Sequence, residues 1–517
     1  MRTKYLWKFL TLVGVISLLF TSCEKDDSVP VINDLFRPVA YADPSVTDNN
    51  IVYLWYGITG AVDYTFELSR DTFKTIDRTV TQTTTKYIAT DLKYDKDYQA
   101  RVRSNAPDPD NTSAWYVFNS AKTARRIVPE VIRAVLPADI KTNSTTVRWN
   151  SGYKVSRVVL ENVFNAADRK EVQLTATDIT NLSVTVTGLT AKSTYRATIY
   201  DDSVVEPDNR NFNSVKFKTA IEVPTGATRV AKGADLADLI GKAAEGAVFY
   251  LEDGYTYKFA AGITISKGVT LLGAPTRPVL TTTGQWTPSG NLSTIRFDGI
   301  DFVSEGSNTY LFNPSNAFTL DNFIVNDCTF DNFSRSIFRV QGADGTQSVN
   351  TISFNDCVFK NGQEDYYITH ISGDNTFKNV SFTNCTFYNL KRGLIQSDKS
   401  TVTSATMKVE SCTFYDVFDA YYMIRHDNAN VAVTLSKCLF SKSKAAMSSV
   451  RSLGQTSVAD CFGSGDYSQG TNYQITITPI TTSPTGADMF VDPAKLDLRF
   501  KDINAEALNV GDPRWLP

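Results

Sequence analysis

Histidine is nearly missing from this chain: His370 and His426 are the only two in 517 residues. Any imidazole chemistry must therefore fall to one of that pair. Basic runs are missing too, and the net charge is −3, so the electrostatic footprint of a nucleic-acid binder is absent. The seven cysteines do not show the short Cys-x₂₋₄-Cys spacing of structural zinc clusters. The apolar run from Phe9 to Phe20, behind Arg2, Lys4 and Lys8, is too short and wrongly flanked for a lasting membrane span. What is present is 42% hydrophobic and 12% aromatic content in a chain long enough for several domains.

Six cysteines recur at nearly one period: Cys328, Cys357, Cys385, Cys412, Cys438 and Cys461. Each opens a variant of one phrase, such as Asn-Asp-Cys-Thr-Phe or Lys-Cys-Leu-Phe, at steps of 29, 28, 27, 26 and 23 residues. A fixed period in the twenties marks a solenoid, whose units bury their apolar faces only by stacking. Strand words such as Thr351-Ile-Ser-Phe and Val380-Ser-Phe-Thr make the unit a β-coil, so the spacing predicts a parallel β-helix. Upstream, Ile300 and then Leu272 continue the column at steps of 28, as compact apolar stand-ins for cysteine. In-register neighbours on parallel coils lie ~4.8 Å apart with parallel Cα–Cβ vectors, whereas a disulfide wants Cβ atoms near ~3.8 Å. A reduced, buried thiol ladder is therefore expected. Ala234 to Ala244 has helical apolar spacing and predicts a helix capping the first coil, ahead of the strand Val248-Phe-Tyr-Leu.

Before the solenoid, residues 30–124 and 127–220 repeat one outline. Each begins with a tryptophan-bearing strand, Ile51-Val-Tyr-Leu-Trp-Tyr and Thr146-Val-Arg-Trp. Each later shows Leu, then Tyr, then an aliphatic residue, as Leu92/Tyr98/Val102 and Leu189/Tyr195/Ile199. Short alternating strands with frequent turns predict two β-sandwiches. The Leu-x₅-Tyr element resembles the tyrosine corner of fibronectin type III domains, and both modules lack cysteine, as that family does. They read most simply as spacers, with Tyr53, Tyr56 and Trp115 as candidate exposed aromatics for sugar stacking. The run Leu236 to Gly273 resembles the opening of pectate-lyase-like proteins. The tail Val491-Asp-Pro, Leu498-Arg-Phe and Gly511-Asp-Pro-Arg-Trp resembles the close of uncharacterised members of that superfamily from polysaccharide-utilisation loci. That resemblance implies a right-handed parallel β-helix over residues 221–517. The fold class is thus all-β, two fibronectin type III-like sandwiches followed by a β-helix with an N-terminal capping helix.

The first residues give an address. Leu19-Phe-Thr-Ser-Cys23 resembles the lipobox of bacterial lipoproteins, with Phe20 departing from the usual Leu or Val. The resemblance implies a signal peptide over 1–22, acylation of Cys23 and a tether over 23–29. Glu24-Lys-Asp-Asp resembles the acidic export signal of surface lipoproteins in glycan-foraging Gram-negative bacteria. The implied location is the outer face of the outer membrane, lipid-anchored, beside other proteins of a polysaccharide-uptake system.

A second ladder follows each cysteine: Tyr310-Leu-Phe-Asn, Ile337-Phe-Arg-Val, Ile368-Thr-His-Ile, Leu394-Ile-Gln-Ser, Met423-Ile-Arg-His and Ser449-Val-Arg-Ser. Alternation turns Phe312, Phe338, Thr369, Ile395, Ile424 and Val450 inward. Asn313, Arg339, His370, Gln396, Arg425 and Arg451 then point outward in one column. Arginine presents a planar fork to carboxylates, so such a rod suits an extended uronic-acid polymer. It is equally the pattern of a solvated strand face. Asp398 and Asp427, on adjacent coils, are candidates for a Ca²⁺ pair or for the acid and base of a glycosidase. A lyase would need a base, His370 or Arg425, and a cation on the uronate, Arg339 or Ca²⁺. The pectate-lyase and polygalacturonase signature motifs are missing. Tyr366, Tyr367, Tyr421 and Tyr422 are candidates for ring stacking. The expectation is binding of an acidic, pectin-like polysaccharide without turnover. A lyase or hydrolase on the same polymer, or a structural adhesin or stalk, are the alternatives, and no cofactor beyond Ca²⁺ is suggested.

Overall fold

The computed structural model describes residues 34–204, 210–259, 261–307, 309–362, 364–397, 405–419, 422–427, 430–445 and 449–516. The signal peptide, Cys23, the tether, Asp398 and Tyr421 lie outside them. The described chain forms two compact units, one reaching Pro129 and taking in Tyr200–Phe212, the other made of Glu130–Ile199 and everything from Asn213.

The first unit contains a β-sandwich. One sheet pairs Ser45–Thr47, Asn50–Leu54 and Lys86–Ala89, and the other pairs Arg78–Gln82, Asp63–Ser69, Asp97–Asn105 and Tyr116–Val117. Alternation along Asn50–Leu54 drives Ile51 and Tyr53 into the core, where Tyr53 meets Phe66 and Phe118 at 5.1 and 5.2 Å between ring centroids. Tyr53 is fully buried, so it offers sugars no surface. The same core encloses Trp55. The Tyr98 phenol accepts from the Lys93 N–H at 3.0 Å, which closes the tyrosine corner.

The second sandwich has the same plan, with Ser183–Thr187 on Ser144–Arg148 facing a sheet of Asn165–Gln173, Arg157–Asn162, Thr194–Tyr200 and Asn211–Lys218. Its corner repeats as well: the Thr190 N–H donates to the Tyr195 phenol at 2.8 Å.

Most of this sandwich belongs to the same compact unit as the solenoid, and charge makes the seam. Lys192 pairs with Asp298 at 2.8 Å, and Lys218 with Asp356 at 2.9 Å and Asp327 at 3.3 Å. Arg277 joins Asp327 to Asp301 at 2.9 and 2.7 Å. Burial works against the Lys218 ammonium, but the two aspartates outweigh it and hold its pKa above the ordinary value.

The solenoid's described strands form two ten-stranded parallel sheets and a third face built on Phe338–Val340, Thr369–Ile371, Ile395–Ser397, Ile424–His426 and Val450–Ser452. Bridges from Trp286 to Phe312 and from Phe312 to Phe338 extend that face upstream. The expected capping helix spans Leu236–Gly241, starts at the Asp235 N-cap and buries Leu236 and Ile240 in the solenoid core.

The residue before each column cysteine turns the corner between the first two sheets in a left-handed conformation: Asp327, Asp356, Asn384, Ser411, Lys437 and Asp460 have φ of 51–60°. Gly299 does the same before Ile300. All six cysteines are free and buried, and each thiol donates to the carbonyl two residues earlier at 3.1–3.5 Å. Burial pushes the thiols of Cys328, Cys357, Cys385 and Cys412 well up. One coil upstream the expected register slips. Leu272 pairs with Asp298 and Val279 with Asp301, so the corner between them is longer in this coil and Leu272 does not lie opposite Ile300. A Cβ on Gly273 would meet the Gly299 carbonyl at 2.1 Å, so the backbones approach closely there.

Inside, six phenylalanines stack one per coil: Phe302, Phe330, Phe359, Phe387, Phe414 and Phe440. Their neighbouring centroids are 4.7–5.2 Å apart and their planes within 13°. The segment from Gly511 runs back across the coils outside. Gly511 bonds to the Lys437 carbonyl, Asp512 to Thr413 and Thr386, Trp515 to Thr386 and Arg514 to the Asp356 carbonyl. Lys216 of the second sandwich donates to the carbonyls of Pro513 and Leu516.

Candidate functional site

The third face carries the donor column. Strands there are three residues long, because turns close in on both sides, and each presents one side chain outward. Parallel pairing sets Arg339 against His370, His370 against Gln396, Gln396 against Arg425 and Arg425 against Arg451. The inward partners Phe312, Phe338, Thr369, Ile395, Ile424 and Val450 are all buried. At ~4.8 Å per step the column from Arg339 to Arg451 is about 19 Å long. Gly393 lets the coils close up beside it, since a Cβ there would meet the Tyr422 carbonyl at 2.2 Å.

The column is not uniform. At its upstream end Arg339 and Arg335 both donate to the Tyr310 hydroxyl, at 3.0 and 2.8 Å, and lie over the Tyr366 ring at 4.6 and 5.0 Å. The Tyr366 ring also covers His370 at 5.4 Å, so His370 holds an outward register position yet is only 6% exposed. It is therefore not the open donor that alternation alone suggests. Burial raises the Tyr310 phenol, and the Arg335 hydrogen bond opposes that rise. At the downstream end Asp427 bridges Arg451 at 3.1 Å and Arg425 at 3.6 Å. Tyr422 lies beside Arg451, 6.0 Å from its guanidinium, and meets the exposed Tyr473 edge-on.

His426 belongs elsewhere. It follows Arg425 by one residue, pairs with Ser397 and Ser452, and is fully buried near Phe377. Tyr367 is buried too, leaving Tyr366 and Tyr422 as the half-exposed rings of the described set. Two guanidiniums on Asp427 compete with any cation for its oxygens, and its expected partner Asp398 lies outside the described residues. Among the described residues no group of three or more His, Cys, Asp or Glu side chains could hold a metal ion. Trp115 of the first sandwich has Arg101 and Arg103 over its ring at 4.4 and 4.8 Å, whereas Tyr56 is exposed.

Arg335 and Tyr310 are members of the site that sequence periodicity missed. Arg335 sits in a turn four residues before its strand partner Arg339, where no alternating word marks it. Tyr310 belongs to the aligned words, but two positions ahead of the inward Phe312.

Comparison with known proteins finds one matching family model and similar solved structures. Residues 255–390, the upstream part of the solenoid, match the family described as Domain of unknown function (DUF4957). No curated protein matches the chain. Among solved structures the chain is similar to the FN1–FN3 domains of chicken CNTN1, at 13% identity and a TM-score of 0.15, over 36% of this chain and 67% of that one. It is also similar to a two-domain fibronectin type III segment of chicken tenascin, at 13% identity and a TM-score of 0.18, over 36% of this chain and 99% of that one.

Proposed function

We propose that this protein binds an acidic, pectin-like polysaccharide along the third face of its solenoid, as a lipoprotein held by acylated Cys23 on the outer face of an outer membrane. The observation that carries the reading is the in-register column of Arg339, His370, Gln396, Arg425 and Arg451 between half-exposed tyrosines. Three guanidiniums against the one carboxylate of Asp427 give the described column positive charge, and a polyanion of repeating carboxylates supplies partners at intervals along it. Tyr366 and Tyr422 add apolar ring faces for the sugars. Binding is favoured over β-elimination because His370 lies under Tyr366 and Arg425 is paired with Asp427, which leaves neither placed as a base. Other proteins of an uptake system are the expected neighbours. No described helix is long and apolar enough to cross a membrane, so attachment in this reading rests on the acyl chains.

The test is the double substitution Arg339→Ala/Arg425→Ala. Affinity for polygalacturonate should fall roughly 100-fold or more, since two charge-assisted hydrogen bonds at ~1.5–3 kcal/mol each are lost and every ~1.4 kcal/mol is tenfold. The loss should shrink as salt rises, a neutral polymer should bind equally before and after, and the melting temperature should hold. Unchanged affinity would remove the column from function, and release of unsaturated sugar by the unmutated protein would replace binding with lyase activity.

A further inference from the structure

A second surface, on the first sandwich, has no role in that reading. Phe36, Val39, Tyr41 and Tyr56 are 76%, 51%, 63% and 55% exposed. They form one patch: the Tyr56 N–H donates to the Val39 carbonyl, the Tyr41 and Tyr56 rings meet edge-on at 5.2 Å, and Phe36 and Val39 line one shallow depression with Arg37 and Ile58. The patch is held, not dangling. Leu35 bonds to the Asn111 carbonyl at 2.9 Å, and the Phe36 carbonyl accepts from Ser104 at 3.2 Å. Large apolar side chains fixed toward solvent in one cluster mark an interaction surface.

We infer that this patch lies against a lipid bilayer, the one into which the acylated Cys23 inserts, an inference that rests on the lipoprotein reading above. Phe36 follows Cys23 by thirteen residues. Thirteen residues reach at most ~45 Å, so the start of the first sandwich stays within that distance of the headgroups. Contact then becomes intramolecular, at an effective concentration in the ~mM range, and a patch too small to hold a membrane alone is engaged. Its chemistry suits that site. Tyrosine rings place an apolar body and a polar hydroxyl across the interface, phenylalanine and valine enter its apolar side, and Arg37 meets phosphate.

The experiment uses the anchored chain in vesicles of phosphatidylcholine with a minor share of phosphatidylglycerol. Because the six repeat cysteines are buried, a spin label enters only at an introduced thiol. Thr59→Cys, exposed at the edge of the depression, reports on the patch, and Ile127→Cys, at a residue 94% exposed, is the control. The Thr59→Cys label should show an oxygen-to-nickel relaxation ratio several-fold above the control. Adding Phe36→Asp and Tyr41→Asp should return it to the control value. Equal ratios at both positions in acylated protein would overturn the membrane contact and leave the lipoprotein reading intact. Mass spectrometry finding Cys23 unmodified would overturn both. A label that responds to polysaccharide or to added outer-membrane protein, but not to vesicles, would assign the patch to that partner and overturn the proposal.

Discussion

Phe387 is the interior ring on which the solenoid's stability can be tested most directly. It is fully buried, with Phe359 5.2 Å above and Phe414 4.8 Å below, at interplanar angles of 9° and 13°. Phe387→Ala removes a buried ring and both stacked partners at once. Phenylalanine-to-alanine changes in cores cost ~3–5 kcal/mol, and each aromatic pair contributes ~0.5–1.5 kcal/mol of that. Phe302, at the upstream end of the stack, has one stacked ring, Phe330, and pairs on its other side with Leu280. Phe302→Ala should therefore cost about 1 kcal/mol less than Phe387→Ala. Because coils interact chiefly with their neighbours, the damage should be local before it is global. Hydrogen exchange on the chain from Ser28 onward is the assay, read at the strands Thr386–Leu390, Val358–Gly362 and Thr413–Val417. Protection should fall most in those three and little in the sandwiches. Uniform loss of protection, or equal costs for the two variants, would refute the nearest-neighbour reasoning.

Two further outcomes follow from buried polar groups. All six repeat thiols should react with a maleimide only after denaturation and without prior reduction, and Cys385→Ser should cost ~1–3 kcal/mol by burying a hydroxyl in the thiol's place. Disulfides found by non-reducing mass spectrometry would overturn the ladder. Burial pushes the Asp512 carboxyl up to about 6 against the opposing pull of Arg514, so the folded chain holds that proton more tightly than the unfolded chain does. This contribution to stability is full below about pH 4 and is lost as pH rises to 6, up to about 3 kcal/mol. Asp512→Asn should remove that fall, and parallel urea midpoints for the two proteins across pH 4–7 would contradict it.

The solenoid was legible because its signals repeat. One cysteine per coil fixed the period, and alternation around Phe338, Thr369 and Ile395 then gave the outward column its register without any contact information. Legibility failed where repetition failed. Between Leu272 and Val279 the corner holds six residues where two separate Asp298 from Asp301, so a constant step of 28 landed on Leu272, which pairs with Asp298 instead of Ile300. Periodicity also reports direction rather than accessibility. It turned His370 outward correctly but could not foresee Tyr366, which reaches it from a turn. Tyr53 could have been read as core, since Ile51, Tyr53 and Trp55 share one face of their strand. The seam of Lys192, Lys218 and Arg277 with Asp298, Asp327 and Asp356 joins positions more than a hundred residues apart or on different coils, and no local pattern encodes it.

The segment from Gly511 to Leu516 fastens onto coils that precede it by roughly 75 to 160 residues, through Lys437, Thr413, Thr386 and Asp356 in turn. A ribosome delivers those coils before the segment that fastens them. Until the segment is made, Thr386 lacks its Asp512 and Trp515 partners, and Lys216 waits for the carbonyls of Pro513 and Leu516. A chain interrupted before Gly511 thus carries the coils that this segment would fasten, with the Thr386 and Thr413 hydroxyls and the Asp356 carbonyl still lacking those partners.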